Sequence, residues 1–298
     1  MQLFLSLVIV ALGALEVSAG LGRPVLFPNG LGTPLKKLND LRRAPTKARK
    51  NNVAVPQICK DHAKDSGCNV SKVTARRVQY DDCSEPWVIC RCADANLSMD
   101  QLETRFSRVP PGIRSYVGGI LAVKQGSCSA VNYGGAFIRI KGDCGVSVFL
   151  HESGHSVDKG MSGSKAFHDA VAKDGCVPDD YSNASYAEDW TQNNVCLTYT
   201  THFQALKNVS KKDPKCMHRQ IQLLRSNTRI KEAQAAKKCL ASKRPFKLKR
   251  DLEEFSYARE LMPEPRATFE NAQACSFGND TAVDEPELFD VSELPDLE

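Results

Sequence analysis

Val148-Phe149-Leu150-His151-Glu152-Ser153-Gly154-His155-Ser156-Val157-Asp158 (VFLHESGHSVD, 148–158) sets two histidines four residues apart, with a glutamate directly after the first. On a helix at about 100° per residue, extended back to Val146, the residues Val146, Phe149, Leu150 and Val157 share one stripe with Ser153 and Gly154, and His151, His155 and Asp158 fall opposite. The spacing predicts a helix over 146–158 that packs its apolar stripe on a core and turns both imidazoles towards a cleft. Gly154 adds to this, because glycine inside a helix is about 1 kcal/mol less favourable than alanine and so marks a close approach by another element. Histidines one turn apart can hold a single Zn2+ from one face. The glutamate beside the first can take a proton from water activated there and pass it to a leaving amine. The competing reading is ordinary packing in a chain that happens to spell the motif.

A catalytic zinc needs a third protein ligand and an open position. A metzincin would have glycine at 158 and histidine at 161; Asp158 and Met161 stand there instead, which excludes that class. A glutamate from a following helix is the other common solution. Glu188, in Tyr186-Ala187-Glu188-Asp189-Trp190, follows His155 by 33 residues in an apolar-flanked pattern. On spacing alone it is equally a surface carboxylate.

The segment from His151 to Asp158 resembles the active-site helix of zinc metallopeptidases of the anthrax lethal factor type, with the pattern H-E-x-G-H-x-V-D. Members of that group carry a tyrosine seven residues before the third-ligand glutamate, and Tyr181 stands seven before Glu188. Over residues 55–280 the cysteine-rich chain is similar to the fungal conidiation-specific secreted proteins, which are regarded as metallopeptidases. The resemblance implies His151, His155 and Glu188 as zinc ligands, Glu152 as general base, and Tyr181 as a hydrogen-bond donor to the oxyanion of a tetrahedral intermediate. It also implies that Asp158 fixes the tautomer of a ligand imidazole. One departure is Gln192, where the group has a second glutamate.

Outward from the motif, the strand-like run Gly135 to Lys141 precedes the helix closely and reads as an edge strand on which an extended peptide could pair. Further strand-like runs lie at Val78 to Cys92 and Ser115 to Val123. Ser98 caps a helix over Met99 to Ser107, Ser164 caps another through Lys173, and helical patterns resume from Lys215. Strands first and helices afterwards predict an α+β, zincin-like fold.

Residues 1–19 read as a signal peptide ending in Val17-Ser18-Ala19, too short to span a bilayer. Twelve cysteines, all after residue 58, then imply six disulfides in a secreted protein, and five sequons at Asn69, Asn96, Asn183, Asn208 and Asn279 agree. Cys90-Arg91-Cys92 is not a Cys-x-x-Cys pair, so a thiolate metal site is not expected. Residues 20–52, without cysteine and with basic pairs at 36–37, 42–43 and 49–50, read as an extended arm or propeptide. The catalytic domain is expected over 53–282, and 283–298 as a flexible acidic tail. From Lys207 to Arg250 there are fifteen Lys and Arg against Asp213 and Glu232, a run read as a solvated face, with a polyanion-binding module as the rival.

The expected whole is a secreted, disulfide-stabilised, monomeric zinc endopeptidase acting on peptides or proteins, with no nucleic-acid or membrane partner. The alternative is a non-catalytic zincin-fold binding protein of the spore wall or of a host interaction.

Overall fold

The computed structural model describes residues 20–245. Residues 1–19, expected as a signal peptide, residues 283–298, expected as an acidic tail, Cys275 and the sequon at Asn279 lie outside the described residues. The strands are β1 (Val25–Phe27), β2 (Thr46–Asn51), β3 (Thr74–Tyr80), β4 (Trp87–Arg91), β5 (Gly119–Val123), β6 (Ser129–Tyr133), β7 (Phe137–Lys141) and β8 (Val177–Asp179). The helices are α1 (Gln57–Asp65), α2 (Met99–Ser107), α3 (Pro111–Arg114), α4 (Val146–Asp158), α5 (Lys165–Lys173), α6 (Tyr186–His202), α7 (His218–Ser226) and α8 (Thr228–Ala235). The architecture is α+β.

Six strands form one mixed sheet in the order β2-β3-β4-β5-β7-β6. Strands β4, β5 and β7 run parallel in its middle, and β2, β3 and β6 are antiparallel to their neighbours. Strands β4 and β5 are apolar but for Arg91, as strands covered on both faces must be, while β7 alternates Ile138 and Ile140 with the half-buried Arg139 and Lys141. Parity sorts the two faces. Ile89, Ile120 and Ile138 are in register across three strands and share a face with Asn132 of β6. Cys90, Leu121 and Arg139 point the other way, where Cys90 is bonded to Cys59 of α1 and Arg139 donates to His62 O and Ser66 Oγ. So α1 covers one face, and α2 and α4 the other.

Ser98 and Gln101 form a reciprocal capping box that starts α2, and Ser164 accepts from Phe167 N to start α5, both at the expected boundaries. The run from Ser115 is a strand only from Gly119, because Pro111 opens α3 and Ser115 Oγ bonds back to Pro111 O. The strand expected at the edge, β7, is internal. Gly134 and Gly135, at φ 58° and 65°, supply the two left-handed residues of a tight hairpin that folds β6 onto it, and β6 is the edge.

Residues 20–52 are not an extended arm. Leu26, Leu31, Leu35, Leu38 and Leu41 are each at most 3% exposed, β2 joins the main sheet, and β1 pairs in parallel with β8. Burying each leucine stabilises by about 2 kcal/mol, so this segment is part of the core.

Five disulfides are present: Cys59–Cys90, Cys68–Cys92, Cys83–Cys239, Cys128–Cys144 and Cys176–Cys216. Cys196, buried on α6, is the one cysteine among the described residues outside them. Asn183 joins its side-chain amide to both backbone groups of Arg23. No helix among the described residues is long and apolar enough to cross a membrane.

Candidate metal centre

Helix α4 starts at Val146, whose N–H donates to Asn39 Oδ1, so the N-terminal segment caps the motif helix. Of its thirteen residues only Ser147 and His155 are not buried, so the expected split into an apolar face and an open face is replaced by burial nearly all round. The polar side is covered by α6. That approach depends on Gly154, where an added Cβ would sit 3.2 Å from Thr191 Cβ and Cγ2. The close approach expected at Gly154 is therefore present.

Ser185 caps α6 by accepting from Glu188 N, which fixes Glu188 in the first turn, where the helix dipole favours a carboxylate. From there Glu188 Oε2 lies 3.0 Å from His151 Nε2 and 3.3 Å from His155 Nε2. The ligand atoms of His151, His155 and Glu188 all lie within 4.8 Å of one another. Two atoms about 2.1 Å from one ion in tetrahedral geometry stand roughly 3.4 Å apart, so this N, N, O set fits Zn2+. The structure brings together the three residues named as ligands from the sequence. Burial alone would push Glu188 up, but His155 and His151 outweigh it and hold its carboxyl well below the usual range. The side chains of His151 and His155 are 9% and 21% exposed, so His155 faces the opening.

Glu152 is buried, and its Oε2 makes no hydrogen bond among the described residues. Burial raises its pKa to about 7; His151 opposes that shift and Glu188 adds to it. A carboxyl so placed is suited to exchanging a proton near neutral pH. The Tyr181 ring lies 5.3 Å from the His151 ring, centroid to centroid.

Asp158 does not reach an imidazole. Its two oxygens accept from Ser162 N at 2.7 Å and Ser162 Oγ at 2.6 Å, which fastens the turn after α4. Behind His151 stand other groups: Nδ1 is 3.0 Å from Gln192 Oε1, and Gln192 Nε2 donates to Asp179 Oδ2 at 2.6 Å. Sequence reasoning met Gln192 only as a departure from a pattern and did not find Asp179 or Thr191. Neither carries a local signal, since Asp179 stands beside Asp180 and Thr191 is followed by Gln192, Asn193 and Asn194. Asp189, next to Glu188 in sequence, accepts from Asn193. His202 ends α6, about 21 Å along the axis from Glu188 at 1.5 Å per residue. Asn132, on edge strand β6, donates to Glu152 O and Ser156 Oγ and so ties the edge to the motif helix.

No solved structure matches the chain. Conidiation-specific protein 13 of Neurospora crassa is 33% identical over 165 residues, covering 51% of this chain and 48% of that protein, so the match spans about half the length of this curated relative. The family model for conidiation-specific protein Con-13 matches residues 31–241, starting inside the buried leucine segment and including every residue of the candidate centre. The chain belongs to the conidiation-specific protein Con-13 family.

Proposed function

We propose that the protein is a secreted zinc-dependent endopeptidase of zincin type, with His151, His155 and Glu188 as the metal ligands. The observation that carries this reading is the meeting of two imidazole nitrogens on one carboxylate oxygen, at 3.0 and 3.3 Å. Two ring nitrogens and a carboxylate oxygen gathered this closely are also the lone-pair donors that one shared cation needs. When bound, zinc supplies Lewis-acid polarisation of a scissile carbonyl and a pKa of about 7 for water.

The chain's own residues supply the rest. Glu152 accepts a proton from the attacking water and returns it to the leaving amine, for which its pKa of about 7 is well matched. Tyr181 donates to the developing oxyanion. The free edge of β6, tied to α4 by Asn132, offers main-chain hydrogen bonds to an extended peptide.

Metal analysis of the secreted protein, residues 20–298, beside its His155→Ala variant tests the centre; one zinc per chain, lost in the variant, is expected. Peptide-library cleavage by wild type and Glu152→Gln tests the chemistry. Native-rate cleavage by Glu152→Gln sinks the mechanism, and full zinc occupancy without cleavage leaves a binding protein.

A further inference from the structure

His151 turns Nε2 to the ligand cluster and Nδ1 to Gln192 Oε1, 3.0 Å away. Gln192 Nε2 donates to Asp179 Oδ2 at 2.6 Å, and Asp179 Oδ1 accepts from Ser182 N at 3.0 Å and Ser182 Oγ at 3.1 Å. All four side chains are buried, with Ser182 and Asp179 at no more than 1% exposed. We propose that Asp179 is a positioning residue that acts through the Gln192 amide to hold His151 in the Nδ1–H tautomer, leaving the Nε2 lone pair for the metal.

The reasoning is one of polarity. An amide can be turned end for end, so its neighbours decide which end faces the ring. A carboxylate offers lone pairs only. Asp179 therefore draws the NH2 end of Gln192 and sends the carbonyl to His151. A carbonyl can only accept, so Nδ1 must carry the hydrogen, and a neutral ring then has its lone pair on Nε2. A carboxylate at position 192 would accept from Nδ1 unaided; an amide there needs a third residue to set its direction. Thr191 does not make this choice. Its hydroxyl donates to Glu188 O, and its oxygen sits almost midway between the ring nitrogens, 3.0 Å from Nδ1 and 3.2 Å from Nε2.

The proposal rests on the metal reading, and its readout is Zn2+ affinity by chelator competition, because in the metal-free chain Glu188 Oε2, 3.0 Å from Nε2, is itself an acceptor for a ring hydrogen. In Asp179→Asn, Ser182 N keeps the new carbonyl, so the new NH2 faces Gln192 and turns its amide. Nδ1 then faces a donor, which opposes the ring state that offers Nε2 to a metal, and Zn2+ affinity should fall about 10- to 100-fold, as loss of an orienting partner typically produces. In the double variant, Asp179→Asn with Gln192→Glu, the new amide donates to the new carboxylate, which again accepts from Nδ1, so affinity should return.

Rescue by the double variant is an outcome that a merely structural role for Asp179 does not produce. Unchanged Zn2+ affinity in Asp179→Asn, or loss without rescue, overturns the proposal. Should Asp179→Asn not accumulate, Gln192→Met removes the same acceptor and should weaken Zn2+ binding as well; unchanged affinity there would also overturn the proposal. Wild-type protein that binds no Zn2+ removes the metal reading and the relay with it, whereas wild-type binding that Asp179→Asn leaves intact removes the relay alone.

Discussion

Replacing Glu152 by glutamine in the metal-free protein should raise stability, and should do so only above acid pH. Glu152 is 4% exposed, one of its oxygens has no hydrogen-bond partner among the described residues, and burial lifts its pKa from 4.5 to about 7. The folded state therefore holds a proton there that the unfolded chain has already released. Between pH 4.5 and about 7 the native state binds more protons than the unfolded one, so the Glu152 contribution to stability falls as pH rises. It is fully present below 4.5 and lost above about 7. At about 1.36 kcal/mol per pKa unit the loss is roughly 3 kcal/mol. Glutamine is nearly isosteric and does not ionise. The difference in unfolding free energy between Glu152→Gln and wild type should thus grow by roughly 3 kcal/mol from about pH 4 to about pH 8, in favour of the variant. Urea titrations of both proteins in chelator at several pH values read this difference directly, and other titrating groups cancel. A difference that stays constant with pH would mean that the Glu152 carboxyl is not desolvated in the folded state. Its role as a proton acceptor tuned to neutral pH would then lose its basis.

Three further outcomes follow from the packing around α4. Gly154→Ala gains helix propensity but sets a methyl 3.2 Å from Thr191 Cβ, a branch point that cannot swing away, so α6 must shift. A net destabilisation of about 1–2 kcal/mol is expected by chemical denaturation, with weaker Zn2+ binding because Glu188 rides on α6. Asp158→Ala removes two hydrogen bonds to Ser162 and should lower stability by about 1–2 kcal/mol while leaving Zn2+ affinity unchanged. A lost affinity would show instead that Asp158 orients a ligand. A chain starting at Val53 lacks five core leucines, worth about 2 kcal/mol each, against a total stability of roughly 5–15 kcal/mol, and circular dichroism should find it unfolded.

Much of the centre could be read from the chain because its spacings are local. Helix α4, its two histidines and the glycine between them follow from a 3.6-residue period, and Ser185 with Glu188 at the start of α6 is a helix-start pattern. What the period could not give is the environment of the polar side. Helix α6 covers it with Thr191, Gln192 and Asn194, all buried and hydrogen-bonded within the fold, as when Asn194 Oδ1 accepts from Gln234 of α8. Residues of that kind read as solvent-facing in any pattern based on hydropathy. Strand β2, Thr-Lys-Ala-Arg-Lys-Asn, is exposed along an edge and has no alternation to detect. The leucines from 26 to 41 are broken up by proline and glycine, and match neither a strand nor a helix period. Asp179 carries no local mark because its role exists only through contact with Gln192, thirteen residues away.

The N-terminal segment ties these observations together. Asn39 caps α4 at the end that leads to His151, and Arg23 is clasped by Asn183 in the same short loop as Tyr181. Strand β1 meanwhile pairs with β8, which ends in Asp179. Residues 20–52 thus touch the motif helix, the tyrosine loop and the relay behind His151, three parts of the centre that come from separate stretches of chain. Metal binding and the order of this segment should be coupled for that reason: what loosens the pairing of β1 with β8 frees Asp179, and with it the direction of Gln192. A short deletion of residues 20–27, sparing the leucines from 31 onward, should therefore weaken Zn2+ binding more than it lowers the melting temperature. Equal binding with a lower melting temperature would restrict the segment to a structural role.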